Sequence, residues 1–144
     1  MAVLTVTIKE EVTLNGSLKT FENVHSETVE DIFHRIYGVL HTSDSELLNF
    51  ASADAGGVFS DADLDYLRIT NLDSTNFVTL RVLGSNEEYF VKIEAGDSFI
   101  LNNSVMDAIT GSTSVPGDPS LANIEKIRAK ADSATVNLEI LALA

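Results

Sequence analysis

The sequence contains no cysteine and no tryptophan among its 144 residues. Without a thiol the chain cannot form disulfides, thiolate zinc sites or iron–sulfur clusters, and it has no cysteine nucleophile. Only two prolines and eight glycines are present, which excludes collagen-like and proline-rich low-complexity chains. Hydrophobic residues make up 44% of the chain, so the composition fits one domain with a full core.

Basic residues are few: nine lysines and arginines stand against 22 aspartates and glutamates, for a net charge of −13. Only Lys126, Arg128 and Lys130 lie close together in sequence, whereas a phosphate-binding surface needs several cations on one face. We therefore expect no nucleic-acid partner. No apolar run reaches the length of a membrane span, and the alternating N-terminus lacks a basic leader. These features predict a soluble protein made in the cytoplasm, with no signal peptide and no membrane partner.

Motifs of catalysis are missing. The sequence has no nucleophile elbow, no phosphate-binding glycine loop and no HExxH. The adjacent carboxylates Glu10-Glu11 and Glu87-Glu88 lie in predicted strands, where neighbouring side chains point to opposite faces and cannot act as an acid–base pair. We expect a non-enzymatic protein with no catalytic residue and no cofactor.

Metal ligands are also sparse. His25, His34 and His41 are the only histidines, and a metal site needs about three converging ligands. The run Asp61, Asp63, Asp65 has the alternation of a calcium loop, but Tyr66 and Leu72 occupy the sixth and twelfth positions, where an EF-hand needs Gly and Glu. An irregular calcium site that adds Asp54 and a solvated acidic loop both stay open. No metal site is assigned.

Period-2 alternation dominates the sequence and is clearest at residues 66–101. Three alternating runs are closed by turn residues at 73–76, 84–86 and 95–97, and a short fourth run follows at 98–101. This pattern predicts an antiparallel meander. Residues 2–14 also alternate, and Asn15-Gly16 is typical of a two-residue hairpin turn. We expect an N-terminal β-ribbon over residues 2–24.

Residues 27–41 are ambiguous between helix and strand. Val29, Ile32, Phe33, Ile36 and Leu40 fit a helical stripe, but the segment is rich in β-branched and aromatic residues and is interrupted by glycine. The β pattern around it favours a strand, which we predict at about 32–41.

The C-terminal part contains a long polar loop at 102–120, with one helical turn at Ser104–Ile109, and a predicted hairpin at 122–143. Together the elements predict an all-β fold: a single antiparallel β-sandwich domain over residues 1–144, with about eight or nine strands. Jelly-roll connectivity is one member of this class that the sequence alone does not distinguish.

Two stretches of the sequence resemble a known class of proteins, and this resemblance implies a function. The stretches Tyr66-Leu-Arg-Ile-Thr-Asn-Leu-Asp73 and Tyr89–Leu101, with the turn Ile93-Glu-Ala-Gly-Asp-Ser-Phe-Ile100, resemble small β-sandwich structural proteins of tailed-phage virions. The resemblance is a pattern of turns over about half of the chain. It implies a capsid decoration (cement) protein or a head- or tail-fibre subunit that acts through protein–protein interfaces. It also implies a place in the virion, major capsid or tail proteins as partners, and assembly as a homotrimer or higher oligomer.

Two other functions compete with this one. The first is a carbohydrate-binding β-sandwich module, calcium-assisted through Asp61, Asp63 and Asp65. The second is a jelly-roll enzyme, which would need a metal triad that three histidines in unrelated contexts do not suggest.

Overall fold

The computed structural model describes residues 2–50, 64–84, 88–102, 107–109 and 121–144. These residues divide into two compact units, Met1–Glu30 and Asp31–Ala144. Both units are built from antiparallel strands, and the described part of the chain contains no helix. The all-β prediction is therefore confirmed.

The N-terminal unit is a two-stranded ribbon. Strand β1 (Ala2–Leu14) pairs with β2 (Ser17–Val29) along their whole length. Asn15 and Gly16 form the turn with φ of 51° and 78°, as the sequence predicts, because these two residues tolerate positive φ. The ribbon is five residues longer than the predicted 2–24, since residues 25–29 continue the alternation and pair with Ala2–Val6.

The second unit is a β-sandwich. Its strands are β3 (Ile32–Val39), β4 (Ser45–Asn49), β5 (Tyr66–Asn71), β6 (Val78–Gly84), β7 (Glu88–Ile93), β8 (Ser98–Asn102), β9 (Asp107–Ile109), β10 (Leu121–Ala131) and β11 (Val136–Leu143). They form two sheets that pack face to face, here called sheet I, with the order β3-β11-β5-β8, and sheet II, with the order β4-β10-β6-β7. The short β9 pairs with the start of β10.

The strand order is that of a jelly roll. If the eight long strands from β3 to β11 are lettered B to I without β9, sheet I reads B-I-D-G and sheet II reads C-H-E-F. This is the connectivity of two interlocked Greek keys. The general prediction of a β-sandwich is thus confirmed, and the topology selects one member of that class.

Two predicted pairings are wrong. β10 and β11 do not form a C-terminal hairpin, because residues 132–135 carry the chain from sheet II to sheet I. Residues 66–101 do not form a meander either: β5 pairs with β8 in sheet I, and only β6 and β7 form a hairpin. In a sandwich a turn can close a hairpin or cross between sheets, and period-2 alternation is the same in both cases.

Strand β3 and the short β9 lie where the sequence is ambiguous or predicts a helical turn. The choice of strand for the ambiguous segment 27–41 is confirmed, since β3 spans Ile32–Val39. The helical turn predicted at Ser104–Ile109 is wrong over residues 107–109, which form β9. The rest of the 102–120 loop, beyond Asn102 and these three residues, lies outside the described residues.

The core lies between the sheets. Inward-facing side chains alternate along the central strands, as at Val78, Leu80 and Val82 of β6 and Leu138 and Ile140 of β11. Each of these side chains is almost fully buried, and burial of this kind contributes about 1.5–3 kcal/mol for each large aliphatic residue.

Asn71 is the one fully buried polar residue among those described. Its Nδ2 donates to the carbonyl oxygens of Asn76 at 2.8 Å and Ile93 at 3.3 Å, and its Oδ1 accepts from the backbone N of Asp73 at 2.9 Å. The side chain therefore ties the end of β5 to the loop before β6 and to the end of β7. Since its polar atoms are paired, its burial does not leave an orphaned group.

Candidate interaction surfaces

The ribbon has two unlike faces. Directly paired residues of an antiparallel ribbon share a face, and the face changes at every residue along a strand. The face that we call the apolar face carries Ala2, Leu4, Val6, Ile8, Val12, Leu14, Phe21 and Val29, together with Glu10, Ser17, Lys19, Asn23, His25 and Glu27. The opposite, polar face is rich in threonine and has only Val3, Leu18 and Val24 as apolar residues.

The apolar face is uncovered toward the Asn15-Gly16 turn. Exposed fractions there are 42% for Ile8, 53% for Val12, 66% for Leu14 and 59% for Phe21. These four side chains together expose on the order of 400 Å², the scale at which an apolar patch marks an interaction site. An isolated two-stranded ribbon is at best marginally stable in water, so this element gains from being covered.

Over residues 2–29 the ribbon carries four glutamates and two lysines, a net charge of −2. On the apolar face, His25 Nε2 lies 3.0 Å from Glu27 Oε2, and Lys19 is the only lysine. On the polar face, Lys9 Nζ lies 2.8 Å from Glu11 Oε1. The ribbon therefore contributes little to the net charge of −13, most of which lies elsewhere in the chain.

A second surface is a groove of about 500 Å³ on the outer face of sheet II. The rings of Phe77 and Phe90 and the side chains of Asp44, Arg81 and Lys130 line it. Phe77 precedes β6 and Phe90 lies on β7, directly opposite Arg81. The strand pairing thus assembles the groove from segments that are far apart in sequence.

Arg81 and Arg128 face each other across β6 and β10, a pairing that is unfavourable for two like charges. The carboxylate of Asp44 lies between them, with Oδ2 at 3.5 Å from Arg81 Nη1 and 3.1 Å from Arg128 Nη1. Arg81 Nε also donates to Glu88, and this hydrogen bond raises the pKa of Arg81. Asp44 and Glu88 therefore offset much of the positive charge at the groove.

The same sheet face collects five of the nine basic residues. They are Arg81, Lys92, Lys126, Arg128 and Lys130. In the sequence only the three basic residues of β10 lie close together. The pairing of β10 with β6 and of β6 with β7 brings Arg81 and Lys92 to the same face. Lys92 lies 4.1 Å above the centre of the Phe77 ring and 2.6 Å from Glu94, so its charge is also partly offset.

On the outer face of sheet I, the carboxylate of Glu139 is shared between a histidine and an arginine. Its carboxylate lies 3.0 Å from His34 Nε2 and 2.9 Å from Arg68 Nη2. The hydrogen bond from His34, with a further contribution from Arg68, lowers the pKa of Glu139. Exposed Ile32, Ile36 and Ile100 surround this cluster on the same face.

The histidines singled out from the sequence do not converge. His25 contacts Glu27 in the ribbon and His34 contacts Glu139 in sheet I, while His41 is exposed in the turn before β4. Within the described ranges no group of three or more His, Asp or Glu side chains is arranged to hold a metal ion. Asp54, Asp61 and Asp63 lie outside those ranges, so the calcium hypothesis stays a prediction.

Comparison of the chain with protein-family models, curated proteins and solved structures finds no match. Across the residues that the structure describes, no helix is long and apolar enough to cross a membrane.

Proposed function

We propose that this protein is a non-enzymatic structural subunit of a virion, of the capsid-decoration or head- or tail-fibre type. The observation that carries the proposal is the ribbon, whose strands of 13 residues leave a row of large apolar side chains in water. Such a row is costly for a monomer and suits a subunit that buries it against a neighbour. The protein would therefore act by burying its surface against neighbouring subunits.

The fold supports this proposal by analogy. Jelly rolls occur in viral capsid proteins and in lectins, among other classes. Since one fold serves many functions, this support is weaker than that from the ribbon. The turns at Asn71–Asp73 and Ile93–Ile100, which resemble those of phage virion proteins, add to it.

The proposed partners are the major capsid or tail proteins and further copies of this chain, in a trimer or higher oligomer. An acidic outer surface suits the exterior of a particle better than contact with packaged DNA. Nucleic acid is not a proposed partner, because Arg81, Lys92 and Arg128 are already paired with carboxylates. The proposed location of the protein is the virion, into which it assembles after synthesis in the host cytoplasm.

The test is whether the protein belongs to purified particles. Virions from the lysate are banded on a density gradient, and the protein is quantified in the band by mass spectrometry. We expect it there in a fixed ratio to the capsid or tail proteins. Purified protein added to particles that lack it should bind and saturate. Absence from the band, together with no binding to such particles, would refute the proposal.

The groove on sheet II favours carbohydrate binding as a second candidate function. Two phenylalanine rings beside Asp44 and Arg81 combine apolar faces, on which sugar rings can stack, with hydrogen-bonding groups for hydroxyls. Binding on a glycan array that is lost in Phe90→Ala would support this candidate. If Asp61, Asp63 and Asp65 hold calcium, millimolar Ca²⁺ should raise the melting temperature. No glycan signal and no calcium shift would remove it.

A further inference from the structure

We propose that the apolar face of the ribbon packs against the same face of other copies of this chain. This inference rests on the proposed function and deepens it by naming the surface and its occupant. The face is defined by the β1–β2 register, and its uncovered part is centred on Ile8, Val12, Leu14 and Phe21.

Charge favours a second copy as the occupant. Two copies of a chain with a net charge of −13 repel each other, so they can associate closely only where charge is low or balanced. The uncovered part of the apolar face has one acid, Glu10, and one base, Lys19, and these lie near each other on adjacent strands. When two such faces meet, each can place its lysine near the partner's glutamate.

The area and the shape of the apolar face also favour a second copy of the ribbon as its partner. The ribbon is 13 residue pairs long, or roughly 40 Å, so a rigid ribbon of equal length is a matching partner. Two such faces contribute on the order of 800 Å² of apolar surface, and with the polar rim they reach the ~1,000 Å² that a specific interface needs. Each ribbon becomes one layer of a two-layer β structure, which removes the weakness of an isolated hairpin.

The experiment compares two matched double variants of the full chain. Val12→Thr with Phe21→Thr alters the apolar face, whereas Val24→Thr with Leu18→Thr alters the polar face. The first pair is 53% and 59% exposed and the second pair 56% and 59%, so the two pairs are closely similar in burial within the chain. Threonine keeps a high β propensity at all four positions.

Sedimentation velocity measures the oligomer for each protein. We expect wild type and the polar-face variant to associate with equal affinity, and the apolar-face variant to lose at least about 100-fold in affinity. A monomeric wild type at ~100 μM, or equal loss in both variants, would overturn the inference. If the monomeric protein still binds particles, the proposed function stands and the ribbon contacts a different virion protein.

A second measurement does not depend on weakening the ribbon. The chain has no cysteine, so Val12→Cys and Val24→Cys each introduce a single reactive thiol. A short bismaleimide should join two copies through position 12 and leave position 24 unlinked. Linking only at position 24, or at neither position, would contradict packing through the apolar face.

Discussion

Asn71→Ala is expected to be among the most destabilising polar substitutions in the sandwich. The side chain is fully buried and makes three hydrogen bonds, to Asn76, Ile93 and Asp73. Alanine removes all three and leaves two carbonyl oxygens and one N–H without their partner. These groups belong to the loop between β5 and β6 and to the end of β7, so the change loosens the junction of β5, β6 and β7.

The expected loss is about 3 kcal/mol in the free energy of unfolding. A typical hydrogen bond contributes about 1 kcal/mol net, and a buried group left unpaired costs about 1–3 kcal/mol. The carbonyl of Asn76 is near the surface and can recover water, whereas that of Ile93 lies next to the core. Against a total stability of about 5–15 kcal/mol, the loss is large but leaves a folded protein.

Urea denaturation followed by circular dichroism measures this loss. With an m-value of about 2 kcal/mol/M, the midpoint should fall by about 1.5 M. Asn137→Ala is the matched control, because Asn137 lies on β11 with an exposed side chain, and it should change stability by less than ~0.5 kcal/mol. A loss below 1 kcal/mol for Asn71→Ala, or one equal to the control, would refute the reasoning.

Three other predictions test separate parts of the molecule. Hydrogen bonds from the backbone N–H groups of Asn76 and Thr75 lower the pKa of Asp73 in the folded protein. The ionised Asp73 therefore stabilises the fold above its unfolded pKa of about 3.9, and this stabilisation is lost as the pH falls through the lower folded pKa. Asp73→Asn should weaken the loss of stability in acid, measured as urea midpoints from pH 7 to 2. Ile69→Ala should cost about 2–5 kcal/mol, whereas Ile36→Ala on the exposed face should cost under ~1 kcal/mol; similar losses would contradict the assigned core. Gly16 has a φ of 78°, which is unfavourable for alanine even though there is open space for its Cβ. Gly16→Ala should therefore destabilise the ribbon and speed hydrogen exchange of the amides in β1 and β2 only. Equal acceleration in the sandwich would contradict the division into two separate units.

Strand positions could be predicted from the sequence because alternation directly reports which side chains face the core. The Asn15-Gly16 turn was predictable for a local reason, since both residues tolerate positive φ. The segment Ile32–Val39 was harder, because β3 is an edge strand that exposes Ile32 and Ile36 and so weakens its own pattern. There the surrounding β-rich sequence was the better guide.

Strand partners could not be predicted, since alternation does not identify the neighbour of a strand. β10 lies between β4 and β6, and β11 lies between β3 and β5, although a four-residue turn joins β10 to β11. The groove was missed for the same reason: Phe90 and Arg81 meet only through the β6–β7 register, and Lys130 is added by β10. The apolar face of the ribbon could have been predicted from the sequence. The Asn15-Gly16 turn fixes the strand register, and this register places Val12 and Phe21 on one face and Leu18 and Val24 on the other.

β11 leaves the ribosome after every other described strand, yet it is flanked on both sides in sheet I. Sheet I therefore cannot close until residues 136–143 are available, whereas β1 and β2 need only a two-residue turn between them. We expect the hairpin to form on the nascent chain long before the sandwich does. If the ribbons of two copies pair as proposed above, that pairing can begin between chains on neighbouring ribosomes of one message, before either subunit is complete.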